Sequence, residues 1–143
     1  MSNSIKFIGF CMFLALAACD DSSTSISIDT PEESRADKPS NTAVYFPDGG
    51  GVEFSKPFTV EKEGPGWKYK EFTLENDWAA LSSALRETMK QQGYEELGKV
   101  DLQGFENSLS FAKKGSSKKV VYRVKMIKTL AGDKLMLRLS WNV

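Results

Sequence analysis

The fold is decided by the sequence VVYRVKMIKTLAGDKLMLRLSWNV, which occupies residues 120–143. On both sides of Ala131-Gly132-Asp133, apolar side chains alternate with charged or polar ones at nearly every second position. A glycine here supplies the unusual backbone angle of a tight turn. Because successive side chains of a strand point to opposite faces, the pattern predicts a hairpin with one apolar and one charged face.

Shorter alternating segments before the hairpin extend the predicted sheet. Phe105, Leu109 and Phe111 alternate with polar residues, and a Gly-Ser turn at 114–118 connects them to the hairpin. These three strands predict an antiparallel meander that is covered on one face and open to solvent on the other. Further weak strands are predicted within the segments 52–54, 58–60, 67–70 and 97–102.

One amphipathic helix is predicted between these strands, from about Asp77 to Gln92. Asn76 or Asp77 is suited to cap its N-terminus, and Gly93 is suited to the left-handed position that follows a helix. Four apolar side chains fall on one face of this helix: Trp78, Leu81, Leu85 and Met89. The predicted fold is therefore α+β, with one helix packed on an antiparallel sheet of three to five strands in two layers.

The N-terminal residues are typical of a secretory signal peptide. Lys6 supplies a positive charge, and residues 7–18 form an apolar run that contains no charge. This run is too short for a bilayer span, which needs about 20 residues. A buried N-terminal helix is the alternative interpretation, but the run shows no amphipathic pattern and polar residues follow it at once.

The end of this run, Leu16-Ala17-Ala18-Cys19, resembles the lipobox of bacterial lipoproteins. The resemblance covers the start of the chain up to Asp20 and does not extend to the domain. It implies cleavage before Cys19 and acylation of that cysteine, which would anchor the protein stably once two or more chains are attached. An aspartate at the second mature position, here Asp20, resembles the enterobacterial signal for retention in the inner membrane.

The chain divides into three predicted parts. Residues 1–18 are the signal peptide, and residues 19–42 are rich in Ser, Thr, Asp, Glu and Pro. Such a composition predicts a disordered acidic tether. A short edge strand that contains Ile26 and Ile28 is the alternative interpretation. The remaining residues, 43–143, form the small α+β domain, with its clearest core in 67–143.

The composition argues against most catalytic chemistry. Histidine is absent, and the two cysteines, Cys11 and Cys19, lie in the signal and at its end. The domain therefore lacks the commonest general base and any thiol, and we expect no enzyme, no metal site and no cofactor. The acidic pairs Glu61/Glu63 and Glu95/Glu96 are interpreted as surface charge, because nothing apolar around them would raise a carboxyl pKa.

Positive charge concentrates near the C-terminus, where residues 104–143 hold nine Lys or Arg against two acids. A docking face on the exposed side of the sheet is one interpretation, and solvated charges that discourage edge-to-edge pairing are the other. The candidate partner-binding residues are Lys119, Arg123, Lys125, Lys134, Arg138, Trp67 and Tyr69. Such a face suits an acidic protein or anionic lipid head groups, whereas the export signal argues against nucleic acid.

These features predict an envelope lipoprotein of a Gram-negative bacterium. Acylated Cys19 would hold it in the bilayer on the periplasmic side of the inner membrane, with the outer membrane as the alternative. We expect its domain to bind a protein partner as a non-catalytic accessory or assembly factor. An immunity or exclusion lipoprotein that neutralises a toxin, or a secretion or conjugation component, is the second hypothesis.

Overall fold

The computed structural model describes residues 28–30, 40–75 and 77–143. The predicted signal peptide, Cys19, Asp20 and much of the predicted tether lie outside these ranges. The described elements, in chain order, are β1 (Ala43–Tyr45), β2 (Gly51–Glu53), β3 (Val60–Gly64), β4 (Trp67–Leu74), α1 (Trp78–Gln91), β5 (Tyr94–Gly98), β6 (Asn107–Lys113), β7 (Val120–Thr129) and β8 (Gly132–Asn142).

Six strands form one antiparallel sheet in the order β3-β4-β8-β7-β6-β5, and β1 pairs with β2 in a separate sheet. The α+β class is thus confirmed, but the main sheet has six strands rather than the predicted three to five. The two edge strands β3 and β5 are mostly exposed, so they lack the apolar alternation by which a strand is recognised. The strand predicted at residues 97–102 is also wrong, because β5 begins at Tyr94 and ends at Gly98.

The predicted meander is confirmed as β6, β7 and β8. Val124 lies opposite Leu137 and Tyr122 lies opposite Leu139, which places apolar side chains of both strands on one face. Leu135, Leu137 and Leu139 are buried there. The register therefore fixes a core face, and it directs the intervening side chains to the opposite face, which we call the outer face.

The helix also agrees with its prediction. Asp77 caps it, since its Oδ1 accepts a hydrogen bond of 2.9 Å from the backbone N–H of Ala80. Gly93 follows the helix with a φ of +81°, a backbone angle that favours glycine. Leu81, Leu85 and Met89 are fully buried and Trp78 is partly buried. Within the described ranges, no helix is long and apolar enough to cross a membrane.

The small β1–β2 sheet lies on the helix side of the core. Phe54, which directly follows β2, packs on Phe72 of β4, with ring centroids 4.3 Å apart. Three residues that composition assigned to the tether, 28–30, extend this layer. Asp29 exchanges two backbone hydrogen bonds with Glu53, and Thr88 of the helix donates to the carbonyl of Ile28. The packed part of the chain thus includes residues well before Ala43.

Candidate functional site: a basic cleft on the outer face

The outer face of β4, β8 and β7 carries a cleft of about 330 Å³, which we call the outer cleft. The strand register brings its side chains together, since Tyr69 lies opposite Ser140 and Arg123 lies opposite Arg138. The lining residues are Trp67, Tyr69, Lys119, Val121, Arg123, Arg138, Ser140, Trp141 and Asn142. Three strands therefore supply cationic and aromatic groups to one open surface.

An aromatic pair forms one wall of the outer cleft. The rings of Trp67 and Tyr69 stack with centroids 5.4 Å apart and an interplanar angle of 4°. Gly64 lies opposite Trp67 in the β3–β4 hairpin, where a Cβ would lie only 2.5 Å from the indole ring. A glycine is thus required for this ring position, and it leaves Trp67 40% exposed. The pair presents stacked, partly exposed apolar area to the cleft.

Arg138 is held in place by neighbours on both sides. Its Nε and Nη2 lie 2.8 and 2.6 Å from Oε1 of Glu71, so its charge is compensated within the domain. The guanidinium carbon lies 4.5 Å from the ring centroid of Tyr69 and 5.0 Å from that of Phe105. Cation–π contacts of this kind favour one orientation of the side chain. Arg138 is thereby a fixed part of the wall.

The contacts of Arg123 differ from those of Arg138, although the two residues lie directly opposite each other. Its Nη1 donates to Oγ of Ser140 at 3.1 Å, whereas its Nε is buried without an acceptor among the described residues. The ion pairs within those ranges do not include it. Burial, and secondarily the charge of Arg138, lower the pKa of Arg123 from its ordinary value. The guanidinium still remains charged at neutral pH.

The structure brings together five of the seven candidate partner-binding residues. Lys119, Arg123, Arg138, Trp67 and Tyr69 all line the outer cleft.

The other two candidates lie on the same face but outside the cleft. Lys125 is opposite Met136, farther toward the β7–β8 turn, and Lys134 has its Nζ 3.9 Å from Oε1 of Glu75. The outer cleft is therefore shorter than the run of basic residues along β7 and β8.

The outer face is not entirely open, contrary to the prediction. Ser108 of β6 bonds through its Oγ to both the N–H and the carbonyl of Val100, and Ser110 donates to the carbonyl of Gly98. The chain from the end of β5 into the connection to β6 thus covers this end of the sheet, where Ser108 and Ser110 are buried. The small side chains at alternate positions of β6 are the sequence feature that allows the backbone at Gly98 and Val100 to approach this strand closely.

Three of the four acidic residues considered from the sequence form ion pairs. Glu61 and Glu63 of β3 lie 3.5 and 3.1 Å from the amines of Lys70 and Lys68 on β4. Glu96 lies 2.8 Å from Nε of Arg86 on the helix. Exposed pairs of this type contribute little to stability.

A polar cluster that sequence reasoning missed joins the two layers. The hydroxyl of Tyr94 donates to Oδ1 of Asp48, and Nζ of Lys113 donates to the backbone carbonyl of Asp48 at 2.9 Å. Burial, followed by the hydrogen bond to Asp48, raises the pKa of Tyr94. The tyrosine therefore stays neutral and serves to fasten the β1–β2 turn onto the edge of the main sheet.

Comparisons with known protein families, with curated proteins and with solved structures found no match. The chemistry of the outer cleft must therefore be argued from its own residues. Lys119 and Arg123 carry two positive charges that no carboxylate of the described ranges neutralises, whereas Glu71 neutralises Arg138. The cleft is suited to binding an anionic group beside an apolar one.

The Glu71–Arg138 pair yields a stability prediction. Replacing Glu71 by Gln should destabilise the domain by about 1–2 kcal/mol, because it leaves two opposed guanidinium groups without compensation. Urea-induced unfolding of the two proteins measures the difference. Glu63→Gln is the matched control, since its pair with Lys68 is largely exposed and should change stability by at most about 0.5 kcal/mol. Equal effects of the two substitutions would contradict this account of Arg138.

Proposed function

We propose that this protein is a lipid-anchored envelope lipoprotein whose domain binds a protein partner through the outer cleft and performs no catalysis. One observation carries the proposal: a half-buried arginine with no carboxylate partner in the described ranges lines the same cleft as a stacked Trp–Tyr pair whose indole ring is exposed. Arginine, tryptophan and tyrosine are the residues that most often dominate protein–protein binding energy. Arg123, Trp67 and Tyr69 combine all three in a single cleft.

The path of the chain supports the same proposal. Ile28 packs against the core from the helix side, whereas the outer cleft lies on the opposite face of the main sheet. Only nine peptide units separate Cys19 from Ile28, and they span at most about 30 Å. An anchor at Cys19 would therefore join the domain on its helix side, opposite the outer cleft.

Affinity purification of the lipidated protein from its host envelope tests the proposal. Lys119→Glu reverses an exposed charge in the outer cleft, and Lys128→Glu makes the same change at an exposed position of β7 whose side chain is directed away from the outer face. The first substitution should abolish capture and the second should preserve it. Co-purification of an envelope assembly would identify an accessory factor, and a single effector bound at nanomolar affinity would identify an immunity or exclusion protein. Capture that both variants retain would contradict the proposal.

The choice of membrane yields a separate prediction. In an enterobacterial host, Asp20→Ser should move the protein from the inner to the outer membrane, because the retention signal that Asp20 resembles is removed. Sucrose-gradient fractionation with immunoblotting measures the distribution. Asp21→Ser serves as the control and should leave the protein in the inner membrane. An unchanged distribution of the Asp20→Ser variant would contradict the retention signal.

A further inference from the structure

The two opposed arginines of the outer cleft differ in one respect that points to a ligand. Arg138 forms an ion pair with the carboxylate of Glu71, whereas the Nε of Arg123 is buried and lacks an acceptor among the described residues. A buried donor without a partner costs about 1–3 kcal/mol, and more when the group is charged. Placing this cation opposite another cation adds repulsion. The side chain as a whole is half-buried, so an incoming oxyanion at the exposed part of the guanidinium would offset the repulsion between the two cations.

We propose that Arg123 recognises a carboxylate of an acidic segment in the partner, with Lys119 receiving a second carboxylate and the Trp67–Tyr69 pair covering an apolar side chain beside them. This inference rests on the proposed function and specifies the chemistry of its partner. The guanidinium fork matches the planar geometry of a carboxylate, and such charge-assisted hydrogen bonds are about twice as strong as neutral ones. Two uncompensated cations in one cleft call for two negative charges.

The observations favour a protein carboxylate over a lipid phosphate. Residues 28–30 join the helix-side layer, so the chain leads toward Cys19 from the face opposite the outer cleft. The tether would therefore attach on the side of the domain away from the outer cleft. The aromatic wall also offers a stacked, partly exposed surface for an apolar residue, which a peptide supplies next to its acidic residues.

Fluorescence polarisation of labelled peptides with the full-length lipidated protein in a zwitterionic detergent tests the inference. The probe is an extended peptide with the sequence Ala-Leu-Ser-Glu-Ser-Glu-Ala, in which the leucine and both glutamates share one face, and its control carries Gln in place of each Glu. We expect the acidic peptide to bind and the control to bind at least about tenfold more weakly. Arg123→Gln should weaken binding of the acidic peptide about 10- to 100-fold, Arg123→Lys should give an intermediate loss, and Lys128→Gln should have no effect.

Several outcomes would overturn the inference. Equal binding of the two peptides, or no change with Arg123→Gln, would exclude recognition of a carboxylate by Arg123. Binding of phosphatidylglycerol vesicles that depends on Arg123, without binding of the peptide, would assign the cleft to lipid. Thermal unfolding controls for folding, since removing an uncompensated cation should leave the midpoint of Arg123→Gln unchanged or higher.

Failure of this inference remains distinguishable from failure of the proposed function. Partner capture that is lost with Lys119→Glu but retained with Arg123→Gln would reject the role of Arg123 and leave the outer cleft as the interface. Peptide binding that depends on Arg123, with no capture of a partner dependent on Lys119, would reject the proposed interface.

Discussion

Replacing Cys19 by Ala is expected to release the protein from the membrane fraction completely. The substitution removes the thiol that would carry the acyl chains, and each buried methylene of those chains contributes about 0.8 kcal/mol to membrane binding. The apolar run at residues 7–18 is too short to span a bilayer in their place. Fractionation after a salt wash measures the release, and labelling with radioactive palmitate measures the loss of acylation.

The chain offers a matched control for this experiment. Cys11→Ala removes the other cysteine, which lies within the predicted signal peptide, and it should leave both acylation and membrane association unchanged. If the Cys19→Ala protein stays in the membrane fraction and still incorporates palmitate, the lipobox interpretation is wrong.

The second large effect concerns the packing of the helix on the sheet. Leu85 is fully buried at the middle of the helix's apolar stripe, so Leu85→Ala should lower the free energy of unfolding by about 2–5 kcal/mol. The loss combines the transfer of the side chain to water with the cavity left behind. Urea titration followed by circular dichroism measures the difference.

Leu130→Ala makes the same chemical change at the tip of the β7–β8 hairpin, where the side chain is fully exposed. We expect it to alter stability by at most about 0.5 kcal/mol. Similar losses at the two positions would mean that the helix does not cover the sheet as described.

The strongest sequence patterns predicted the centre of the fold. The β7–β8 hairpin was predictable because one of its faces is buried, so that Leu137, Leu139 and Trp141 alternate with polar residues. The helix was predictable because its stripe, its capping Asp77 and its final Gly93 agree. Local propensity and packing indicate the same structure in both elements.

The edges of the fold could not be predicted in the same way. β3 reads Val-Glu-Lys-Glu-Gly and is mostly exposed on both faces, so pairing with β4 rather than apolar alternation makes it a strand. The packing of Ile28 against the core depends on contacts with a helix about 60 residues later, namely the bond to Thr88. Long-range partners of this kind leave no periodic signal in the sequence.

The candidate site was predictable in composition but not in geometry. Charge counting pointed to Arg123 and Arg138 alike, and only the strand register shows that they lie opposite each other. The ion pair with Glu71, which distinguishes the two arginines, joins residues 67 positions apart. For the same reason, charge counting could not separate Lys125 and Lys134, which lie outside the cleft, from the residues that line it.

Site-specific photocrosslinking in living cells tests the central claim most directly. A benzophenone amino acid at Trp67 would replace one exposed aromatic side chain of the outer cleft with another, and the same amino acid at Lys90 would lie on the exposed side of the helix. We predict that position 67 crosslinks to a single envelope protein, that Arg123→Gln removes this product, and that position 90 does not give it. The same product from position 90, or no protein product from position 67, would contradict the assignment of the outer cleft as the binding surface.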